Sequence, residues 1–241
     1  QDSCCGPANR GVAVDERHVY IATIDARLVA LDRATGTIAW EFALTHGDDG
    51  AMEDLGQLLD VPEFASAKQT GQTGYSANMA PQVVGDLVLV GVTGAGYGLH
   101  VETQEGGAPQ ISVAGLGGEK LGLRGFLVAL DRASGQERWR WYVTDTGWEG
   151  DFSASTAYGE PLHRDLDAER AAFARYKDSW RFGGGSVWTT PAVDVARGLI
   201  YIGTGNPAPQ MDDATRPGDN RHSISLVALD LTTGKLRWAY Q

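Results

Sequence analysis

The chain has 241 residues, enough for one large domain or two small ones. Its 20 Lys and Arg against 31 Asp and Glu leave a net charge of −11, which argues against nucleic acid or an anionic membrane surface as partner. No apolar run approaches the ~20 residues of a transmembrane segment, and no leader peptide stands at Gln1, so either one has been removed or residues precede it.

The only two cysteines, Cys4 and Cys5, are adjacent. Consecutive Cα atoms lie about 3.8 Å apart, closer than the roughly 4.4–6.8 Å of ordinary disulfides. A bond between them would close a strained local ring and could not staple the fold. The alternative is two reduced, buried thiols.

A phrase then recurs three times. Leu28-Val29-Ala30-Leu31-Asp32 is followed by Thr35-Gly36 and Trp40. Leu127-Val128-Ala129-Leu130-Asp131 leads to Ser134-Gly135 and Trp139, and Leu226-Val227-Ala228-Leu229-Asp230 to Thr233-Gly234 and Trp238. Successive tryptophans are 99 residues apart, a repeat of the kind that fixes an architecture. Each copy reads as an apolar strand, a glycine-bearing hairpin turn and a returning strand whose tryptophan packs on a neighbouring sheet. Two further strand-like runs precede each copy: 11–14 with 18–24, 82–84 with 87–92, and 192–193 with 199–202. Four short antiparallel strands per repeat predict an all-β fold of β-propeller blades. The blades fall roughly at 10–42, 80–142 and 190–241, with long connections at 43–79 and 143–189 and a glycine-rich insertion at 97–124. The apolar spacing of Leu166, Phe173, Tyr176 and Trp180 predicts one surface helix over 165–180, without assigned chemistry. Propellers usually have four to eight blades, so the three here are expected to be part of a larger ring of eight.

The blade phrase resembles the repeats of pyrroloquinoline quinone (PQQ)-dependent dehydrogenases. Cys4-Cys5 with Asn9-Arg10-Gly11 is similar to the vicinal-cysteine segment of the methanol/ethanol dehydrogenase type. Gly183-Gly184-Gly185-Ser186-Val187-Trp188 is similar to its cofactor floor, and Gly203-Thr204-Gly205-Asn206-Pro207-Ala208-Pro209 to its calcium-ligand loop. Arg216-Pro217-Gly218-Asp219-Asn220 and Ala239-Tyr240-Gln241 also match. The resemblance covers nearly the whole chain.

The resemblance implies a quinoprotein of the periplasm that oxidises a small alcohol to an aldehyde or ketone, passing hydride to PQQ and electrons onward to a cytochrome c. It implies a bound Ca²⁺ or lanthanide, and the remaining propeller blades as further partners. A flat tricarboxylate needs two plates and a cation. Trp188 supplies one plate, a Cys4–Cys5 disulfide the other, and Arg10 grips a carboxylate. Asn78 and Ser186 fall where the family usually has threonine, and Thr93, ahead of Gly94-Ala95, where it usually has serine. Asn206 is implied as a metal ligand, its side-chain carbonyl being a hard donor suited to calcium.

Two departures stand out. Gly96 occupies the position of a calcium-binding glutamate, and Glu119 lies one residue out of register with the second half of that motif. The family's catalytic aspartate is expected after Gln241, so no complete catalytic set lies within 1–241. The competing reading is a non-enzymatic propeller scaffold of the outer-membrane assembly type, built from the same repeats. Such a scaffold has no reason to keep Cys4-Cys5, Arg10, Trp188 and Asn206 together. The five histidines, at 18, 46, 100, 163 and 222, show no ligand spacing.

Overall fold

The structure, a computed structural model, describes residues 9–45, 76–93, 98–102, 110–114, 124–208 and 213–241. Three four-stranded antiparallel sheets carry the repeats. Sheet 1 has the order β1-β2-β3-β4, with β1 Ala13–Val14, β2 His18–Ala22, β3 Arg27–Asp32 and β4 Ile38–Ala43. Sheet 2 joins β5 Gln82–Val84, β6 Leu87–Val92, β9 Phe126–Asp131 and β10 Glu137–Tyr142 in that spatial order. Between β6 and β9 runs a separate hairpin, β7 Gly98–Glu102 with β8 Gln110–Ala114, inside the segment read as an insertion. Sheet 3 has β11 Ala192–Asp194, β12 Leu199–Gly203, β13 Leu226–Asp230 and β14 Leu236–Tyr240, again in sequence order.

The repeated aspartate builds each turn. Asp32 Oδ1 accepts the backbone N–H of Thr35 at 2.8 Å and its hydroxyl at 2.8 Å. Asp131 does the same with Ser134 at 2.9 and 2.9 Å, and Asp230 with Thr233 at 2.9 and 2.9 Å. These bonds pull the carboxyl groups below the ordinary aspartate range, Asp131 to about 2. The next residue closes the turn at positive φ: Gly36 at 72°, Gly135 at 71° and Gly234 at 67°. A bulge follows in each returning strand, leaving Ala39, Arg138 and Arg237 outside the ladder and setting the tryptophan opposite Ala30, Ala129 or Ala228.

The tryptophans join the sheets. Trp40 Nε1 donates to the Arg132 carbonyl of sheet 2 at 3.3 Å, and Trp139 Nε1 to the Leu231 carbonyl of sheet 3 at 3.1 Å. Each ring lies on the turn glycine of the next sheet. A Cβ on Gly135 would stand 2.7 Å from Trp40 Cε3, and one on Gly234 2.3 Å from Trp139 Cε3. Leu28, Leu89, Leu127, Leu130, Ile200 and Leu229 are fully buried in one continuous core that spans all three sheets.

The predicted helix is α1, Leu166–Tyr176, capped by Asp165, whose carboxylate accepts the Ala168 N–H at 3.0 Å. It stops short of Trp180, which lies in a 3-10 turn, Ser179–Phe182. The Trp180 carbonyl accepts the Thr144 hydroxyl at 2.8 Å and the Gly183 N–H at 3.2 Å. Among the described residues, no helix is long and apolar enough to cross a membrane.

Candidate functional site

The candidate residues gather beyond one end of the second strand in each sheet. Past β2, Asn9 donates from its side-chain amide to the Ala22 carbonyl at 2.9 Å, and Ala77 N–H reaches the Thr23 carbonyl at 3.2 Å. Past β6, Ser76 and Thr93 exchange backbone bonds of 3.2 and 2.8 Å, and Val187 N–H reaches the Val92 carbonyl at 3.4 Å. Past β12, Gly205 N–H donates to the Ser186 carbonyl at 2.8 Å, and Gly185 N–H to the Asn206 carbonyl at 2.9 Å. These bonds hold the segments 76–80, 91–93, 184–190 and 203–208 against one another.

Glycines permit the close approach. A Cβ on Gly91 would sit 2.4 Å from the Val187 carbonyl oxygen, and one on Gly125 1.6 Å from the Gly185 carbonyl oxygen. Gly184 and Gly185 both adopt φ of 71°, a value that glycine reaches without penalty. The Gly183–Gly185 run thus lets the chain thread between sheets 2 and 3 and deliver Ser186 and Trp188.

Arg10 and Trp188 meet at the rim. Backbone N–H of Arg10 donates to the Asn78 carbonyl at 3.1 Å, and its guanidinium to the same oxygen at 3.4 Å. That guanidinium lies 5.3 Å from the Trp188 ring centroid, within cation–π range. Trp188 is 44% exposed, a large apolar face left open beside a cation. Thr190, which sequence reasoning did not single out, ties this loop down through a 2.8 Å bond from its hydroxyl to the Ala80 carbonyl. A hydroxyl two residues after the tryptophan was the only available signal.

Beneath the rim lie three buried side-chain atoms without a hydrogen-bond partner: Asn78 Oδ1, Thr93 Oγ1 and Ser186 Oγ. They are the only such atoms found among the described residues. Buried polar atoms are nearly always satisfied, and each exception costs roughly 1–3 kcal/mol. The three atoms lie on the segments 76–80, 91–93 and 184–190 that the backbone bonds hold together. All three are among the residues that the family resemblance implies as cofactor contacts. Cys4, Cys5, Gly94, Ala95 and Glu119 lie outside the described residues.

The residue set fits a flat polyanion through an open aromatic face, a guanidinium and the two unmatched hydroxyls of Thr93 and Ser186, whereas Asn78 Oδ1 only accepts and calls for an N–H donor. For a metal, Asn206 offers an amide oxygen on a loop pinned to Gly185. Among the described residues, no group of three His, Cys, Asp or Glu side chains suits a metal ion.

A second polar cluster anchors the 143–189 segment; its Asp219 and Gln241 lie in segments that match the family, but the sequence assigns them no role. Asp219 Oδ1 and Oδ2 accept the N–H groups of Ser153 and Asp151, both at 2.8 Å. The Ser153 hydroxyl adds a 3.1 Å bond and the Arg164 guanidinium one of 2.7 Å. Arg164 also pairs with Glu169 of α1, whose carboxylate accepts the Gly218 N–H at 2.9 Å. Burial pushes the Asp219 carboxyl up, but Arg164 and these N–H groups outweigh it and hold the carboxyl below its usual range. The Asp219 carbonyl accepts the Gln241 side chain at 2.6 Å.

Comparison with known proteins decides the family. The profile of the PQQ glucose/ethanol/alcohol dehydrogenase β-propeller domain matches residues 3–241. The chain belongs to this family. Its three sheets are therefore propeller blades, numbered 1 to 3 below. Among curated relatives, quinohemoprotein alcohol dehydrogenase from Comamonas testosteroni is 29% identical over 99% of this chain and 26% of its own length. Quinohemoprotein alcohol dehydrogenase ADH IIB from Pseudomonas putida is 33% identical over 99% and 27%. Methanol dehydrogenase (cytochrome c) subunit 1 from Paracoccus denitrificans is 29% identical over 99% and 31%. The chain thus spans under a third of the length of these relatives. Among solved structures, the C. testosteroni enzyme superposes with a TM-score of 0.62 at 28% identity, over 99% of this chain and 28% of that one. A europium-containing methanol dehydrogenase gives 0.60 at 26% identity, over 97% and 32%.

Proposed function

We propose that residues 1–241 are three blades of a PQQ-dependent alcohol dehydrogenase, and that they supply much of its cofactor pocket. The observation that carries this reading is the trio of unpartnered atoms on Asn78, Thr93 and Ser186, beside the open Trp188 face. A generic propeller has no reason to bury three such atoms together. PQQ supplies a planar quinone able to take hydride from an alcohol carbon. Trp188 is the plate on which its rings stack, and Arg10 neutralises a carboxylate. Thr93 and Ser186 donate hydroxyl hydrogens to its oxygens, while Asn78 Oδ1, where the family usually has a hydroxyl, accepts from an N–H instead. The Cys4–Cys5 pair is the opposite plate.

Asn206 is the proposed metal ligand from this chain, for Ca²⁺ or a lanthanide, with Glu119 as a second candidate. The proposed base that takes the alcohol proton is an aspartate beyond Gln241, and the remaining blades are further parts of the full-length protein. A cytochrome c acceptor goes with this reading, supported by the name of the Paracoccus relative, and periplasmic placement is part of the same proposal.

The test is a PQQ titration of the full-length protein with Ca²⁺, followed by tryptophan fluorescence. Saturable binding is expected, weakened roughly tenfold by Trp188→Ala, the loss of about 1.5 kcal/mol of ring stacking. Absence of saturable binding would overturn the assignment. Thr93→Val carries a second expectation with opposite signs. It removes an unpartnered buried hydroxyl, so the cofactor-free protein gains on the order of 1 kcal/mol in urea unfolding, while cofactor affinity falls. A stability loss without cofactor would show that the Thr93 hydroxyl already has a partner.

A further inference from the structure

The three unpartnered atoms of the pocket are not equivalent. Thr93 Oγ1 and Ser186 Oγ are hydroxyl oxygens, each able to donate a hydrogen bond as well as accept. Asn78 Oδ1 is an amide oxygen and only accepts. The trio therefore asks its ligand for a donor at Asn78 and for acceptors elsewhere.

Among the described residues, none supplies that donor. The two hydroxyls are themselves without partners, so neither reaches Asn78 Oδ1. The backbone N–H groups of the same segments are spent on other acceptors. Those of Ser76 and Thr93 serve each other's carbonyls at 3.2 and 2.8 Å, and that of Ala77 serves the Thr23 carbonyl at 3.2 Å. Gly91 N–H points at the Met79 sulfur at 2.8 Å, and Val187 N–H at the Val92 carbonyl at 3.4 Å. Arg10 also contacts Asn78, but its backbone N–H and its guanidinium both go to the main-chain carbonyl, at 3.1 and 3.4 Å. The segment is fixed as well: Met79 is fully buried, and a Cβ on Gly91 would stand 2.8 Å from its sulfur.

Asn78 thus offers a ligand an acceptor of its own and an arginine held on its main-chain oxygen. A matching ligand carries an N–H beside a carboxylate. PQQ has such an edge. Its pyrrole ring bears the only N–H of the oxidised molecule, with a carboxylate on the adjacent carbon, and at neutral pH its other heteroatoms are acceptors. We propose that Asn78 is a specificity residue that accepts the pyrrole N–H, turning that edge of the cofactor toward Asn78 and Arg10. The adjoining carboxylate then falls to the guanidinium, and the Thr93 and Ser186 hydroxyls meet acceptors. A threonine hydroxyl at position 78 could rotate to donate or accept, and so would not select for the N–H. The asparagine oxygen does, because a ligand without a donor there leaves a buried acceptor unmet. The inference rests on the cofactor reading and adds the identity of the group that Asn78 recognises.

The test compares PQQ with PQQ methylated at the pyrrole nitrogen, titrated into the full-length protein with Ca²⁺ and followed by tryptophan fluorescence. Methylation removes the N–H and leaves the carboxylates and the quinone in place. In the wild type it is expected to weaken binding about tenfold or more, the scale of leaving a buried acceptor unmet. Asn78→Ala removes the acceptor and makes room for the methyl group, so methylation is expected to cost about threefold or less there, with unchanged circular dichroism. Asn78→Thr, the milder substitution, is expected to shrink the penalty in the same way. A wild-type penalty below about twofold overturns the proposal, since no acceptor is then left unmet. Equal penalties in wild type and both variants overturn it too, since the methyl group then clashes elsewhere or the amide turns its N–H₂ to a ligand oxygen. In either case PQQ itself still binds and the cofactor assignment stands. Failure of unmethylated PQQ to bind removes that assignment, and this inference with it.

Discussion

Gly234→Ala is expected to destabilise the protein by about 3 kcal/mol, several times the cost of Gly36→Ala. Both glycines close the same turn, at φ of 67° and 72°. Alanine in that left-handed region costs roughly 1–2 kcal/mol, partly offset by a stiffer unfolded chain. That is the whole penalty at Gly36, where a Cβ meets nothing within 4 Å. At Gly234 the Cβ would lie 2.3 Å from Trp139 Cε3, so the ring must move. Trp139 is 8% exposed and held by its 3.1 Å bond to the Leu231 carbonyl. Displacing it adds about 1–3 kcal/mol of overpacking. Urea unfolding of the two variants reads the difference, and equal midpoints would show that the joint yields freely.

Asp219→Asn is the second large effect, expected at roughly 3 kcal/mol at neutral pH, the scale for removing one partner of a buried charge pair. The side chain is 8% exposed and serves two backbone N–H groups, the Ser153 hydroxyl and Arg164. The amide can still accept, but it leaves Arg164 with Glu169 alone and points an N–H at another donor. Because the folded carboxyl titrates below its ordinary value of 3.8, its contribution is full above that pH and is lost as pH falls through the folded value. The gap between wild type and variant should therefore close below about pH 4. Chemical unfolding at pH 7 and pH 3 checks this, and a gap that widens in acid would contradict the ion-pair account.

The propeller was legible because its signals are local and repeated. Asp32, Asp131 and Asp230 each organise a turn within three residues, and the tryptophans recur at a fixed interval. Asn78, Thr93 and Ser186 were legible only through resemblance. No periodicity brings residues from 76–80, 91–93 and 184–190 together; backbone bonds across blades do so. The Asp219 cluster was not legible, because its partners lie 55 to 68 residues away in sequence and follow no pattern. The predicted helix runs past Tyr176 because spacing places Trp180 on the same face, whereas Trp180 belongs to a separate 3-10 turn, Ser179–Phe182.

The two interior joints also differ in what they specify. Both tryptophans seek a main-chain carbonyl, contributed by Arg132 in one case and Leu231 in the other. A bond to the backbone is indifferent to the side chain that carries it, so any unit ending in this turn can follow any unit ending in this strand. That freedom suits growth by duplication, but leaves blade order unspecified by the tryptophan. Order must come from the variable residues around it, and the Asp15–Arg132 pair, 3.4 Å from Oδ2 to Nε across blades 1 and 2 and replaced by Val84 and Leu231 between blades 2 and 3, supplies such an address.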